Sequence, residues 1–281
     1  MKILVAGAGI AGSCATTALR EAGHDVVLAD ASPSTAASRC AFAVTRTAWW
    51  DTEQRCTVRR SLDWYDRRGH IITTSAVVTD VRRGKTSIQG DHYLINPIGP
   101  LLSPDLAASL GWWRQIDGSV FADFRHWTSL TFDALVIAAG PASAHLAGWP
   151  EGERSFGGIF TVSGNRLAHA GQLSMFRRTD RLSYTAAYVG GETRIGASRC
   201  STPAQARRIA DGIRDRLLSE GIVSGSADEW TYRSGVRYAT ASPGAVRLDE
   251  RVWALTGLAR SGYALAPAAA LDIATEIGDL K

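Results

Sequence analysis

The stretch Met1-Lys2-Ile3-Leu4-Val5-Ala6-Gly7-Ala8-Gly9-Ile10-Ala11-Gly12, continued through Ser13–Ala22 to Val26-Val27-Leu28-Ala29-Asp30, decides the fold. Lys2–Ala6 is a short apolar run of the kind a buried parallel strand needs. It enters a complete G-x-G-x-x-G turn at once. The small residues of Ser13–Ala22 predict a helix with Leu19 and Ala22 on its inner face. Gly23 and His24 end that helix, and Val26–Ala29 predicts a second strand closed by Asp30. Each part has a physical task. Gly7 permits the tight turn, Gly9 lets a pyrophosphate approach the backbone, and Gly12 lets helix and strand pack closely. Ile10 and Ala11 open the helix, whose N–H groups and positive dipole end face phosphates. Asp30 stands 18 residues after Gly12, where a carboxylate accepts from a ribose 2′-OH. These parts predict a dinucleotide site rather than a ligand-free glycine turn. By itself the stretch leaves NAD and FAD equally open.

With 281 residues the chain buries a sizeable core, as one large domain or two interleaved ones. Apolar residues make up 45% and charged residues 21%, the balance of a soluble globular protein. No run approaches the roughly 18 apolar residues of a membrane span. The first strand leads straight into the glycine turn, without the cleavage site of a signal peptide. Cys14, Cys40, Cys56 and Cys200 are scattered, with no C-x-x-C pair, and the six histidines form no cluster with them. This predicts no metal and no disulfide framework, and a reducing, cytoplasmic setting. A net charge of +4 with nine tryptophans makes nucleic acid a candidate partner. Ordinary surface charge and core aromatics explain the same counts.

Beyond Asp30, the Ser- and Thr-rich segment Ala31–Ala43 reads as a loop passing beside the cofactor, with Arg39 placed to neutralise a pyrophosphate. Arg59, Arg60, Arg67 and Arg68 flank a predicted amphipathic helix carrying Leu62, Trp64 and Tyr65. Ser75–Val81, Thr86–Gln89 and His92–Ile95 read as short strands separated by Arg-Gly and Gly-Asp turns. Pro97–Pro104 reads as a loop, and Ser103-Pro104-Asp105 as the start of a helix through Leu110. Gly118-Ser119-Val120 is extended, and Trp127–Leu130 precedes the next strand. Phe132–Gly140 returns to the nucleotide-binding pattern: a buried strand ending in Ala138-Ala139-Gly140, small enough for a ligand to reach the backbone. Gly158–Val162, Leu173–Phe176, Ser183–Tyr188 and Thr193–Ile195 predict an antiparallel sheet. Thr202 and Pro203 open a helix to about Glu220, with Ile209, Ile213 and Leu217 on its apolar face. Glu229–Ala239 is a strand carrying Arg233 and Arg237. Val252–Thr256 is another, followed by the loop Gly257–Gly262 and a helix from about Ala266 to Ile277, a second anion-friendly site.

Five of these stretches together resemble the D-amino-acid oxidase family of FAD-dependent amine oxidases, glycine oxidases most closely. They are Gly7–Gly12 with Asp30; Ala37-Ser38-Arg39; Phe132–Gly140 with Pro141-Ala142-Ser143; Tyr184–Gly196; and Gly257–Pro267. The compact size also resembles oxidases that act on glycyl-modified thymine in bacteriophage DNA hypermodification. Two departures stand out. Leu258 replaces the histidine usual after the first glycine of the C-terminal motif, and the chain is shorter between about Trp50 and Gly118. The resemblance implies an α/β fold: a Rossmann-like FAD-binding domain (βαβ, mixed sheet) from residues 1–45, 110–150 and 245–281. Into it is inserted a mostly antiparallel substrate domain from residues 46–109 and 151–244.

What the resemblance implies for the site is equally specific. FAD is expected against Gly7, Gly9, Ile10, Ala11, Gly12, Asp30, Ala31, Ser38, Arg39, Val120, Ala139, Gly140, Gly257, Arg260, Ser261, Gly262, Tyr263 and Ala264. It is held non-covalently, since no cysteine falls in the C-terminal loop where some relatives attach it. Arg237, in Gly235-Val236-Arg237, matches the family's Gly-x-Arg position, where a planar guanidinium takes a carboxylate in two parallel bonds. Tyr184 matches the active-site tyrosine, with Tyr188 as an alternative, and Arg260 reaches both substrate and flavin. The implied reaction oxidises the C–N bond of a glycine-like or N-substituted glycine, by hydride transfer to flavin and reoxidation by dioxygen. The substrate is a small amine or a glycyl-nucleotide. Two other classes remain open: a hydroxylase or dehydrogenase of the same fold, and a non-catalytic dinucleotide-binding module. Hydroxylases carry a Gly-Asp segment where this chain has Gly257-Leu258-Ala259-Arg260, and a colourless protein would favour the module.

Overall fold

The computed structural model describes residues 1–30, 36–80, 85–96, 102, 105–107, 132–144, 152–168, 173–177, 183–196 and 199–280. Expected contacts Ala31 and Val120 lie outside them, as do Gly118–Val120 and Trp127–Leu130. In chain order the elements are β1 (Lys2–Ala6), α1 (Ile10–Glu21), β2 (Asp25–Asp30), β3 (Val44–Thr45), α2 (Thr52–Asp66), β4 (Ile71–Asp80), β5 (Lys85–Ile95) and β6 (Leu106–Ala107). They continue with β7 (Ala134–Ile137), β8 (Glu153–Ser163), β9 (Leu173–Arg177), β10 (Ser183–Val189), β11 (Glu192–Gly196), α3 (Pro203–Ser219), β12 (Thr231–Asp249), β13 (Val252–Leu258) and α4 (Gly262–Gly278). The fold is mixed α/β, as the sequence predicts. No helix among the described residues is long and apolar enough to cross a membrane.

The chain divides into two compact units. The first holds Met1–Ala36, Ile98–Arg154 and Arg237–Lys281, and the second Ala37–Pro97 and Ser155–Val236. In the first, β13, β7, β1, β2 and β6 run parallel in that spatial order, with β12 antiparallel to β13. Leu4, Ala6, Ala29, Leu135, Ile137, Val252 and Ala254 pack together as the apolar layer of this sheet. α1 and α4 pack against each other and on the strands. α4 buries Ala264, Ala266, Ala268, Ala269, Ala270 and Ala274, short side chains that permit this close approach.

β6 corrects the helix expected from Ser103 to Leu110. Leu106 and Ala107 pair with Ala29 and Asp30 on β2. Asp105 prepares the pairing: its N–H donates to the Leu28 carbonyl at 2.9 Å, and its carboxylate accepts from the Leu28 N–H at 2.8 Å and from Arg20 at 2.7 Å. The open edge of β2 presents N–H and C=O groups that need partners, and this demand overrides a local helix signal.

In the second unit the strands β3, β5, β4, β9, β10, β11 and β8 are neighbours in that order, antiparallel except for the parallel pair β4–β9. β5 is one strand where the sequence predicts two. Gly90-Asp91 is no turn but an irregularity within it, with Asp91 at φ 61°. The kink aims the Asp91 carboxylate at the turn Thr47–Trp49, where it accepts from the Thr47 hydroxyl and from the Ala48 N–H at 3.2 Å. α3 opens as predicted, with the Thr202 hydroxyl accepting from the Gln205 N–H at 3.2 Å and Pro203 in the first turn. Its buried Ala210, Ile213 and Leu217 pack on Phe160, Val162, Ala186 and Ile195, with Ile209 at the margin.

Candidate functional site

Because β1, β2, β7 and β13 are parallel, their carboxyl ends share one edge of the first unit's sheet. β1 lies between β7 and β2, the switch point at which doubly wound sheets take a ligand. Gly7 ties the three tips together. It sits at φ 107°, a conformation costly for any residue with a Cβ. A Cβ there would stand 2.5 Å from the Ala138 carbonyl oxygen. Its N–H donates to the Ala29 carbonyl at 2.7 Å, and the Ala138 N–H donates to Ala6 at 2.7 Å. Gly12 has a different reason, since a Cβ on it would overlap the Gly7 carbonyl oxygen.

Gly9 differs from Gly7 in its backbone. Its φ of −70° and ψ of −175° suit any residue, so the backbone conformation does not require glycine at this position. Gly9 is also the N-cap of α1 and has no side chain with which to cap it, and the first turn of α1 holds no acidic residue. The N-terminus of α4 is built the same way, with no side-chain cap from Ser261 and no acid in the first turn. The two ends are side by side, because a Cβ on Gly262 would come 3.0 Å from Ile10 Cγ2. Two uncapped helix ends in contact make a paired anion-binding surface. Asp30 closes β2 half-buried, and among the described residues its carboxylate has no partner.

The C-terminal segment departs from its expected form. β13 runs on through Gly257 and Leu258, the turn Ala259–Ser261 follows, and α4 begins at Gly262 rather than near Ala266. Pro267 stands inside the helix rather than opening it. It forfeits one backbone bond to the Tyr263 carbonyl, which near-complete burial of α4 offsets. Ser261 and Gly262 are half-buried at the edge, and Tyr263 and Ala264 are buried. Ala139 and Gly140 follow β7, where the Thr256 hydroxyl donates to the Gly140 carbonyl at 3.4 Å.

Arg237 and Arg260 come to the same edge. Ala239 of β12 pairs with Leu258, the last residue of β13. Arg237 therefore lies past the tip of β13, on the side of the turn that carries Arg260. Arg237 is half-buried. Arg260 is exposed and, among the described residues, unpartnered. The other expected residues belong to the second unit. Ser38 and the exposed Arg39 sit on the turn Ala37–Cys40, and Tyr184 sits on β10 opposite Phe176, with Tyr188 opposite Thr193. Among the described residues no group of His, Cys, Asp and Glu could hold a metal ion.

Sequence reasoning missed the support of the Ala37–Ala43 segment. Arg194, 7% exposed, donates to the Ala41 carbonyl at 2.6 Å and to Glu192 at 2.9 Å. The Cys40 thiol donates to the Ser234 carbonyl at 3.0 Å. A Cβ on Gly235 would press on Ala37 and Cys40 at 3.0 and 3.1 Å. The available signal was Glu192-Thr193-Arg194, since residues two apart on a strand share a face.

No family model matches the chain, and no curated protein matches it. Solved structures do. Iminodiacetate oxidase from Chelativorans sp. BNC1 superposes with a TM-score of 0.65 over 98% of this chain and 95% of that one, at 18% identity. Glycine oxidase from Bacillus cereus ATCC 14579 gives 0.64 over 100% and 95%, at 15% identity. The FAD-dependent oxidoreductase PA4991 from Pseudomonas aeruginosa gives 0.62 over 99% and 90%, at 15% identity. The chain thus has the fold of FAD-dependent oxidoreductases along nearly its whole length.

Proposed function

We propose that the chain is an FAD-dependent oxidoreductase of the amine-oxidase type, acting on an amino-acid-like substrate. The observation that supports it most is the pair of helix N-termini, neither with an acidic residue in its first turn, that meet at Ile10 and Gly262. One such end is met in many dinucleotide folds. Two in contact, beside Gly9, suit a cofactor that passes its pyrophosphate over α1 and extends toward α4. The likeness in fold to iminodiacetate oxidase and glycine oxidase supports the same reading.

In this reading Gly7, Gly9, Ile10, Ala11 and Gly12 hold the pyrophosphate, and Asp30 accepts hydrogen bonds from ribose hydroxyls. Ala139, Gly140, Gly257 and the Ser261–Ala264 segment line the remainder of the cofactor. Bound FAD supplies the hydride acceptor, with dioxygen as the terminal oxidant. Arg237 holds the substrate carboxylate in a bidentate pair, so that the C–H bond beside nitrogen is presented in a fixed orientation. Arg260, on the same edge as Arg237, completes the substrate's surroundings. The substrate is a glycine or N-substituted glycine unit, as a free amine or carried on a nucleotide base.

The visible spectrum of the purified protein tests the first part: flavin absorption is expected, and a colourless protein that takes up no added FAD overturns it. Anaerobic bleaching with a panel of N-substituted glycines, free glycine and glycylated oligonucleotides tests the second. Bleaching by NADH with no amine present would reassign the chain to the hydroxylases or dehydrogenases.

A further inference from the structure

β12 breaks its register with β13 at one place near the ligand edge. Ala239 pairs with Leu258 and the next partners are Gly244 and Thr256, so residues 240–243 stand opposite Gly257 alone. Bulges of this kind occur where a strand re-aims a side chain. Thr240 opens this one, and its hydroxyl lies against Gly257. That glycine adopts φ 74°, and a Cβ on it would overlap the Thr240 Oγ1. The hydroxyl is shut off from solvent and has no hydrogen-bond partner among the described residues.

A buried hydroxyl without a partner destabilises the protein that carries it. Two features place this one at a ligand rather than in a packing fault. Gly257 is the penultimate residue of the parallel strand whose following turn leads into α4, where Ser261 supplies no side-chain cap. The neighbouring Thr256 hydroxyl, by contrast, is satisfied within the chain by the Gly140 carbonyl. Tyr238 offers an internal comparison. Its hydroxyl is also buried and unpartnered, but its ring is covered by Gly152, where a Cβ would stand 2.7 Å from Cε2.

We infer that the Thr240 hydroxyl is a cofactor-binding group, left unpaired by the chain so that it hydrogen-bonds the flavin end of FAD. The inference rests on the FAD reading proposed above. It predicts opposite signs in the two states of the protein. Thr240→Val removes an unpaired hydroxyl from the apoprotein and a bonded one from the holoprotein. The apoprotein Tm should therefore rise, while the dissociation constant for FAD rises about tenfold, the worth of one hydrogen bond. Thr240→Ser should restore wild-type affinity. Tyr238→Phe should also raise the apoprotein Tm, but leave FAD affinity within about twofold, well short of that tenfold loss.

FAD titration by flavin fluorescence and thermal unfolding of the apoprotein give both readouts without any substrate. Thr240→Val that binds FAD as tightly as wild type overturns the inference alone, as does a loss of affinity that serine fails to restore. A wild-type protein that binds no FAD overturns the inference and the functional reading together. A fall in the apoprotein Tm with unchanged affinity returns Thr240 to a purely structural role.

Discussion

The two units differ in how many of their charged side chains are paired among the described residues. The second spends its charges on itself. Glu192 takes both Arg194 and Arg233, at 2.9 and 3.2 Å. Arg166 bonds Glu229, Arg207 bonds Asp211, and Asp91 braces the Thr47 turn. Arg207 and Arg214 also lie over the rings of Tyr232 and Phe160, at 4.5 and 4.4 Å. The first unit pairs Arg20 with Asp105 to close a sheet edge. At its ligand edge, however, Asp30, Arg260 and the Thr240 hydroxyl lack partners among the described residues, and two helix ends lack side-chain caps. Unmet polar demand is expensive in a folded protein and collects where a ligand meets it. The contrast is one of charged groups, since the second unit also holds buried polar atoms without hydrogen-bond partners among the described residues, such as Trp230 Nε1 and the Tyr232 hydroxyl.

The comparison breaks most sharply at the glycines. Gly12→Ala should cost about 3 kcal/mol in chemical denaturation, since its Cβ overlaps the Gly7 carbonyl. Gly9→Ala should barely move the unfolding midpoint and should weaken FAD binding about tenfold or more. Equal destabilisation by both would make Gly9 structural and remove it from the site. Next is Arg194→Met in the second unit. It strands the Ala41 carbonyl and half of the Glu192 pairing, and should lower stability by about 2 kcal/mol. An unchanged denaturation midpoint would mean that this network contributes nothing.

A charge at the ligand edge should behave in reverse. Asp30→Asn removes no partner among the described residues, so apoprotein stability should hold while FAD affinity falls about tenfold, the loss of one charge-assisted bond. Isothermal titration that finds the affinity unchanged would take Asp30 off the ribose. The smallest effect is expected at Glu229. The Ser226 N–H, then the Ser226 hydroxyl, hold its carboxyl below the usual 4.5. A carboxylate with a depressed folded-state pKa stabilises above its unfolded value, and the gain is lost as pH falls through the folded one. Glu229→Gln should therefore lower Tm slightly near pH 7, with the difference closing below pH about 4.5. A difference that persists in acid would assign the effect to packing.

Legibility followed the range of the interactions. The β1–α1–β2 unit could be read because most of the demands it meets are local: a turn, a helix start, a strand end. Thr202 and Pro203 were readable for the same reason. The Ser103 helix misled because the partner that turned Leu106 and Ala107 into a strand is β2, far back in the chain. Gly90-Asp91 has turn chemistry, yet β4 pairs on both sides of it and holds it in line. Thr240 carried no signal, and the strand spacing that pairs Arg194 with Glu192 says nothing of its second partner. Their meaning lies in Ala41 and Gly257, which only folding brings to them.

By itself the sequence determined a buried β1–turn–α1–β2 unit with a glycine-rich turn, an antiparallel region between two parallel-strand segments, and a second helix start near the C-terminus. Periodicity, glycine placement and capping residues act within a few positions of the chain, so they are written in it directly. Only the tertiary structure decided that the two helix ends touch, that β12 carries Arg237 past the tip of β13, and that the glycines of one motif serve different purposes. Those facts depend on contacts between residues as distant as Ile10 and Gly262. Non-local packing is set by the fold as a whole, and no stretch of sequence holds both partners.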